Sequence, residues 1–154
     1  MANFNLSWSI EGDKQLSRVL LNVSNAAKDF KKPLGQSAVM LRELFEGDVF
    51  KTEGGAIQRQ WARLSPATVA RKARSGYPFP TKPLVATGKM QKSFYTTVTS
   101  DYAIVGNNQD YFKYHQSNKP RKRLPRRQMM RIDNERKVEI VRYFQEHLRN
   151  EAKK

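Results

Sequence analysis

The 154-residue sequence contains no cysteine, only two histidines and, between residues 54 and 132, only two acidic residues, Asp101 and Asp110. Without cysteine there is no disulfide framework, thiolate metal site or cysteine nucleophile. His115 and His147 stand in no metal-ligand spacing with each other or with a carboxylate, so no metal and no other cofactor is expected. Long apolar runs are also missing. Met1 to Ile10 has neither a basic start nor an apolar stretch, and the longest aliphatic run nearby is Val19-Leu20-Leu21. The expectation is a soluble chain made in the cytoplasm, with no membrane partner.

The scarcity of carboxylates also argues against an enzyme such as a small nuclease, which needs an acidic cluster or a histidine pair to hold metal or move protons. Thr87-Gly88-Lys89 ends like a phosphate-binding loop, but Pro83 stands five positions before Gly88 and Met90 takes the place of the required Ser or Thr. Asp101 falls in a predicted turn, where aspartate serves the backbone. His115 fits a hydrogen-bonding role at a helix end or interface better than that of a catalytic base. No catalytic constellation emerges, and the chain reads as a non-enzyme.

What is abundant is positive charge. Lys and Arg number 29 against 14 Asp and Glu, a formal net charge of +15. Residues 1–53 hold seven basic and seven acidic side chains and residues 133–154 hold six and five, so the excess lies in 54–132, with sixteen basic against two acidic. Such a concentration calls for an anionic partner: nucleic acid or an acidic protein face. From Lys113 to Arg131 there are eight Lys and Arg and no acid, with Pro120 and Pro125 as helix breakers, which predicts an exposed basic loop, most strongly an arm over 117–127. Lys119, Arg121, Lys122, Arg123, Arg126, Arg127 and Arg131 are the candidate contacts to DNA or to an acidic partner. Tyr111, Phe112 and Tyr114 nearby could stack on bases or pack between subunits.

Length fits one domain, 1–154. Phe4, Leu6, Trp8 and Ile10 alternate with polar residues and predict a strand over 3–10. Asp13 as cap and Leu16, Val19, Leu20, Val23, Ala27 and Phe30 predict a helix over 13–31. Pro33 starts or kinks a second helical segment over 33–46, which Gly47 ends; two helices and one bent helix fit equally well. Glu53-Gly54-Gly55 reads as a loop, and Ser65-Pro66 caps a short basic helix stopping at Ser75-Gly76. Tyr77 to Pro83 reads as a connector. Thr87-Gly88 would cap another short helix with Met90 and Phe94 on one face, before a hairpin pairing 95–99 with 102–106 around Ser100-Asp101. A further strand near 127–132 is open, and a last helix after Asp133 shows Val141, Phe144 and Leu148 on one face. The fold class is α+β: a small, mainly antiparallel sheet packed against N-terminal helices and a C-terminal helix, with long basic loops.

The middle of the chain carries an ordered set of short motifs: Trp61 with Leu64-Ser65-Pro66, then Thr68 and Lys72; Leu84-Val85-Ala86-Thr87-Gly88-Lys89-Met90; the strand end Val105-Gly106; His115-Gln116; and Leu124-Pro125-Arg126. This order, over about residues 57–132, resembles the phage virion morphogenesis family of tail-completion proteins. The departures are Ser117-Asn118, where the family has an aromatic residue and a glycine, and Met129-Met130 in place of Phe-Leu. The resemblance implies a structural virion protein of the head–tail junction, or neck, or of the head-proximal tail end, needed to complete tails and join them to DNA-filled heads. It implies a homo-oligomer, most simply a hexameric ring, touching neck, tail-terminator or tail-tube proteins and, nonspecifically, packaged DNA. Trp61, Leu64, Ser65, Thr68, Lys72, Leu84, Thr87, Gly88, Gly106, His115, Gln116, Pro125 and Arg126 would then be scaffold residues. The competing reading is a non-catalytic nucleic-acid-binding accessory protein acting through its basic middle.

Overall fold

The computed structural model describes residues 13–119, 121 and 124–154. The predicted strand over 3–10, with Phe4, Leu6, Trp8 and Ile10, lies outside the described residues, as do Pro120, Lys122 and Arg123 of the basic arm. Within them the fold is α+β: helices pack around one antiparallel hairpin.

Of the two readings for the N-terminal half, the chain forms two helices. The first, α1 (Asp13–Ala26), ends short of the predicted residue 31 because a turn over Ala27–Phe30 intervenes. The Asp29 carboxylate accepts the Lys31 N–H at 2.9 Å, and Phe30 donates its own N–H to Ser100 in the hairpin turn. The second, α2 (Lys31–Glu43), tolerates Pro33 in its first turn, where a backbone N–H has no intrahelical acceptor.

Gly47 does not end this helix. It lies in a π-helical turn, Leu44–Asp48, that runs on into the single turn α3 (Val49–Lys51). A glycine weakens a helix by about 1 kcal/mol but does not stop it. The π turn instead brings residues five apart onto one face, so Leu44 with Val49, and Phe45 with Phe50, are all buried. Termination comes at Glu53 and Gly54, both with positive φ (52° and 87°). A Cβ on Gly54 would sit 2.1 Å from the Arg59 carbonyl oxygen and 2.7 Å from the Trp61 ring, so only glycine fits there.

Helix α4 (Pro66–Arg74) starts as expected: the Ser65 hydroxyl accepts the Thr68 N–H at 3.3 Å and proline follows. After the irregular connector, the helix expected to join Met90 to Phe94 is reduced to a 3-10 turn, Gln91–Ser93, and Phe94 begins a strand. Strands β1 (Phe94–Val98) and β2 (Ala103–Asn107) pair with Tyr95 opposite Gly106 and Val98 opposite Ala103, the register expected from sequence. The short helix α5 (Phe112–Gln116) occupies the start of the predicted basic loop. No strand forms over 127–132, whose backbone is held by side chains instead of a ladder.

The last helix, α6 (Asn134–Ala152), is capped by Asp133, which accepts the Arg136 N–H at 2.9 Å. Its packed face carries Ile140 and Phe144, not Val141, which is exposed. Phe144 meets Phe30 with ring centroids 5.3 Å apart. One core forms from Leu41, Leu44, Phe45, Val49, Phe50, Ile57, Trp61, Met90, Phe94 and Met129. Phe50 stands edge-on to Trp61 at 5.3 Å, and α2 covers the inner face of the hairpin.

Candidate functional site

The irregular backbone between Gly54 and Ile132 creates a shortage of hydrogen-bond donors. Carbonyls outside helices and ladders still need partners when they are buried. In this chain lysine and arginine supply them. Lys72, on α4 and 9% exposed, donates its ammonium to three carbonyls, Phe79 at 3.0 Å, Lys82 at 2.7 Å and Val85 at 2.9 Å. One side chain thereby folds the proline-rich connector against α4. Burial holds the Lys72 pKa below its usual value, yet all three N–H groups are engaged, so the residue is a fastener and not a nucleophile.

A second set of ties holds the segment 126–131 against the loop 57–63. Trp61 Nε1 donates to the Gln128 carbonyl at 2.7 Å. Arg127 donates from Nε to Ala62 at 2.9 Å and from Nη2 to Arg63 at 3.3 Å, and Arg131 donates to Ile57 at 3.1 Å. Gln116 closes the other side: its Oε1 accepts the N–H groups of Met129 and Met130, both at 3.1 Å, and its Nε2 donates to the Met130 carbonyl at 2.6 Å. Arg126 reaches back to the Gln116 carbonyl at 3.2 Å. Met129, where the family pattern has another residue, is fully buried in the core.

Between these two sets lies a pocket of about 290 Å³ whose walls include Leu64, Lys72, Leu84, Thr87, Gly88 and His115. Six of the sequence-singled residues thus converge on one cleft. Leu84 and Gly88 line it with positive φ (60° and 74°). His115 is 8% exposed and its Nδ1 has no hydrogen-bond partner. Burial lowers its pKa, the charges of Arg127 and Arg121 lower it further, and the Pro125 carbonyl opposes them. The imidazole is therefore neutral at pH 7. No group of three or more His, Asp or Glu that could hold a metal is present among the described residues.

The basic residues expected to meet a partner divide into two classes. Lys119 and Arg121 are exposed, and Arg121 stacks on the Tyr114 ring at 4.4 Å. Arg126 is exposed but tied to Gln116; Arg131 is half-buried; Arg127, at 5% exposed, points inward. The loop predicted from Lys113 to Arg131 is thus a helix at one end, exposed at Asn118, Lys119, Arg121, Pro125 and Arg126 as expected, and fastened at the other end, where Arg127 and Met129 are buried. Of the remaining singled-out residues, Gly106 lies under the Tyr95 ring, where a Cβ would come within 2.5 Å of Cζ. Pro125 is exposed on the strap, its carbonyl near His115.

Sequence reasoning missed several fasteners: Gln91, which donates to Glu46 at 2.8 Å; Asn107, which donates to Met90 at 2.7 Å; and the Gln128 carbonyl under Trp61. An amide side chain beside an irregular segment was the available signal, but it names no partner.

A model described as the phage virion morphogenesis family matches residues 12–149 of this chain. No curated protein and no solved structure matches it. No helix among the described residues is long and apolar enough to cross a membrane.

Proposed function

The chain belongs to the phage virion morphogenesis family, and from that membership we propose that it is a non-enzymatic structural protein of the head–tail junction, or of the head-proximal tail end, that completes tails and joins them to DNA-filled heads. The coarser part, a structural or assembly role in the phage virion, follows from the family itself. The observation that carries the finer reading is that the family match spans nearly the whole chain, while the motif residues serve as fasteners between segments. Such a chain presents shaped surfaces to neighbours, as a neck component must. In this reading it closes on itself as a ring, most simply a hexamer, against neck, tail-terminator or tail-tube proteins.

The unpaired cations have a place in the same reading. Lys119 and Arg121 are exposed in a stretch nearly free of acid, and they would face packaged DNA or an acidic neighbouring ring. That charge is also what favours the second reading, a nucleic-acid-binding accessory protein, for which tight, salt-sensitive binding by the isolated monomer would be decisive.

The test is electron microscopy of lysates from the parent phage with this gene disrupted. Filled heads accumulating beside unjoined or aberrant tails are the expected result. Complete infectious particles at normal yield would overturn the proposal.

A further inference from the structure

Among the described residues the sheet has two strands, each with an open edge, and two strands alone are marginal in water. The hydrogen bonds at the two ends of this hairpin, Thr99 N–H to Tyr102 and Asn108 N–H to Ser93, fix the alternation along it. Bonded pairs recur every second residue, so the main-chain groups of Ala103, Val105 and Asn107 point away from β1, toward the free edge of β2. Among the described residues none of them bonds to another segment. Proteins commonly guard such edges with lysine, proline or a bulge. Here β2 reads Ala-Ile-Val-Gly-Asn, without a charge, in a chain with 29 Lys and Arg.

The edge also borders a cavity. A groove of about 320 Å³ lies between β2, at Ala103 and Val105, and the segment Met130 to Ile132, with Leu41 and Phe45 also lining it. An entering strand would find along one wall N–H and C=O groups that pair with no other described residue, and apolar surface below.

A third feature concerns α1. The Ala26 carbonyl lies 3.4 Å from His147 Nε2 and Phe30 stacks on Phe144, so α1 runs antiparallel to α6. Only five residues of α6 follow His147, whereas thirteen of α1 precede Ala26, so an antiparallel α1 outruns α6 at Ala152. Leu16, Leu20 and Leu21, in the part beyond, are 57%, 60% and 61% exposed. Helix α2 runs from the hairpin turn, at Phe30, toward the start of β1, and α6 lies antiparallel beside it, with Tyr143 near Val39 and Glu43, and Glu151 near Lys32. Helix α1, passing the C-terminal end of α6, therefore leads away from the hairpin with an apolar surface exposed.

We infer that the groove beside β2 receives residues 3–10 of a second copy of this chain, added as a third strand on the free edge. The segment has the required pattern: Phe4, Leu6, Trp8 and Ile10 on one face, Asn3, Asn5, Ser7 and Ser9 on the other, and no charge. The apolar set enters the groove and the polar set joins Ile104 on the outer face, since a strand's side chains alternate. The donor is another copy for a reason of reach. Asp13 lies about 20 Å along α1 from Ala26, and the hairpin turn is bonded to Phe30, beyond the other end. The three links from Ile10 to Asp13 span at most about 11 Å, too little to bring Ile10 back to the edge of its own chain. The inference rests on the self-assembly part of the proposed function and adds the contact by which copies join.

The absence of cysteine supplies the test. Ile104→Cys is mixed, as full-length protein, with Asn5→Cys, Ser7→Cys or Ser9→Cys under mild oxidation, and the oligomeric state of Trp8→Asp is compared with that of the parent chain by light scattering. Opposed residues that are not hydrogen-bonded bring their Cβ atoms close enough for a disulfide. The expected result is a cross-link between chains for at least one pair, and an association weakened at least tenfold in Trp8→Asp. No bond for any pair overturns the inference, as does a bond formed within one chain when Ile104→Cys and one of the other three cysteine substitutions are placed in the same chain. Unchanged oligomers in Trp8→Asp would overturn it while leaving the ring intact, whereas a monomeric parent chain would count against the ring itself.

Discussion

The ends of the chain and its middle use the same cations in opposite ways. Every ion pair among the described residues lies in the ends: Arg42 with Glu46, Arg136 with Asp133 and Glu135, Arg142 with Glu139 and Glu146, and Lys154 with Glu151. The middle has no ion pair among the described residues; its Lys72, Arg126, Arg127 and Arg131 donate to backbone carbonyls. The ends are regular helices whose carbonyls are satisfied internally, so their charges are free to pair on the surface. The middle is largely irregular, and its carbonyls must find donors elsewhere. Part of what reads in the sequence as a charge excess seeking a partner is therefore internal fastening, and only the remainder, with Lys119 and Arg121 in it, is left for an anionic surface.

The sharpest way to break this contrast is to remove the fastener of the middle. Lys72→Met keeps the stem and deletes the ammonium, leaving the carbonyls of Phe79, Lys82 and Val85 without their donor. A buried polar group left unpaired costs about 1–3 kcal/mol, and three share this donor, so a loss of about 3–5 kcal/mol is expected from urea unfolding of the full chain. A loss under about 1 kcal/mol, the range of a surface charge, would mean that Lys72 is no more than a surface cation.

A smaller effect is expected from His115, and its sign is fixed. Its folded pKa is lowered by burial and by Arg127 and Arg121, while Lys72 and Lys89, across the pocket, add no opposing charge. The unfolded chain therefore takes up the proton at a higher pH than the folded one. Stability is at its fullest above the ordinary histidine pKa of about 6.5 and falls as the pH drops from there toward the folded value. His115→Phe keeps an aromatic ring and removes the titration. As the pH falls from 7 through the acid range, the parent chain should lose unfolding free energy relative to His115→Phe, whatever constant offset the substitution itself introduces. Parallel curves would show that the ring does not resist protonation.

Much of the frame was legible because it depends on local rules. Ser65-Pro66 and Asp133 are caps whose chemistry is written in adjacent residues, and the hairpin register followed from alternation about Ser100-Asp101. The π turn was not legible, because Leu44, Phe45, Val49 and Phe50 fit a period of 3.6 only until the insertion is known. The inward turn of Arg127 was hidden for another reason: sequence records a charge but not the carbonyls of Ala62 and Arg63 that it meets 65 and 64 positions earlier. For the site, the motif residues could be named, but their convergence on one pocket depends on a fold that brings Leu64, Leu84 and His115 together.

The smallest expected effect completes the contrast from the other side. Arg142 pairs with Glu139 at 2.6 Å and with Glu146 at 3.8 Å on the exposed face of α6, where its own side chain is 58% exposed. By count of partners it looks as well engaged as Arg127. Its partners are solvated carboxylates, however, and its loss leaves nothing buried without a donor. Arg142→Ala should therefore lower stability by about 0.5 kcal/mol or less, and added salt should shrink even that difference. Urea unfolding at low and at high salt measures both. A loss as large as that of Lys72→Met would mean that charge pairing on the helices, and not carbonyl fastening in the irregular middle, is what these cations contribute to the fold.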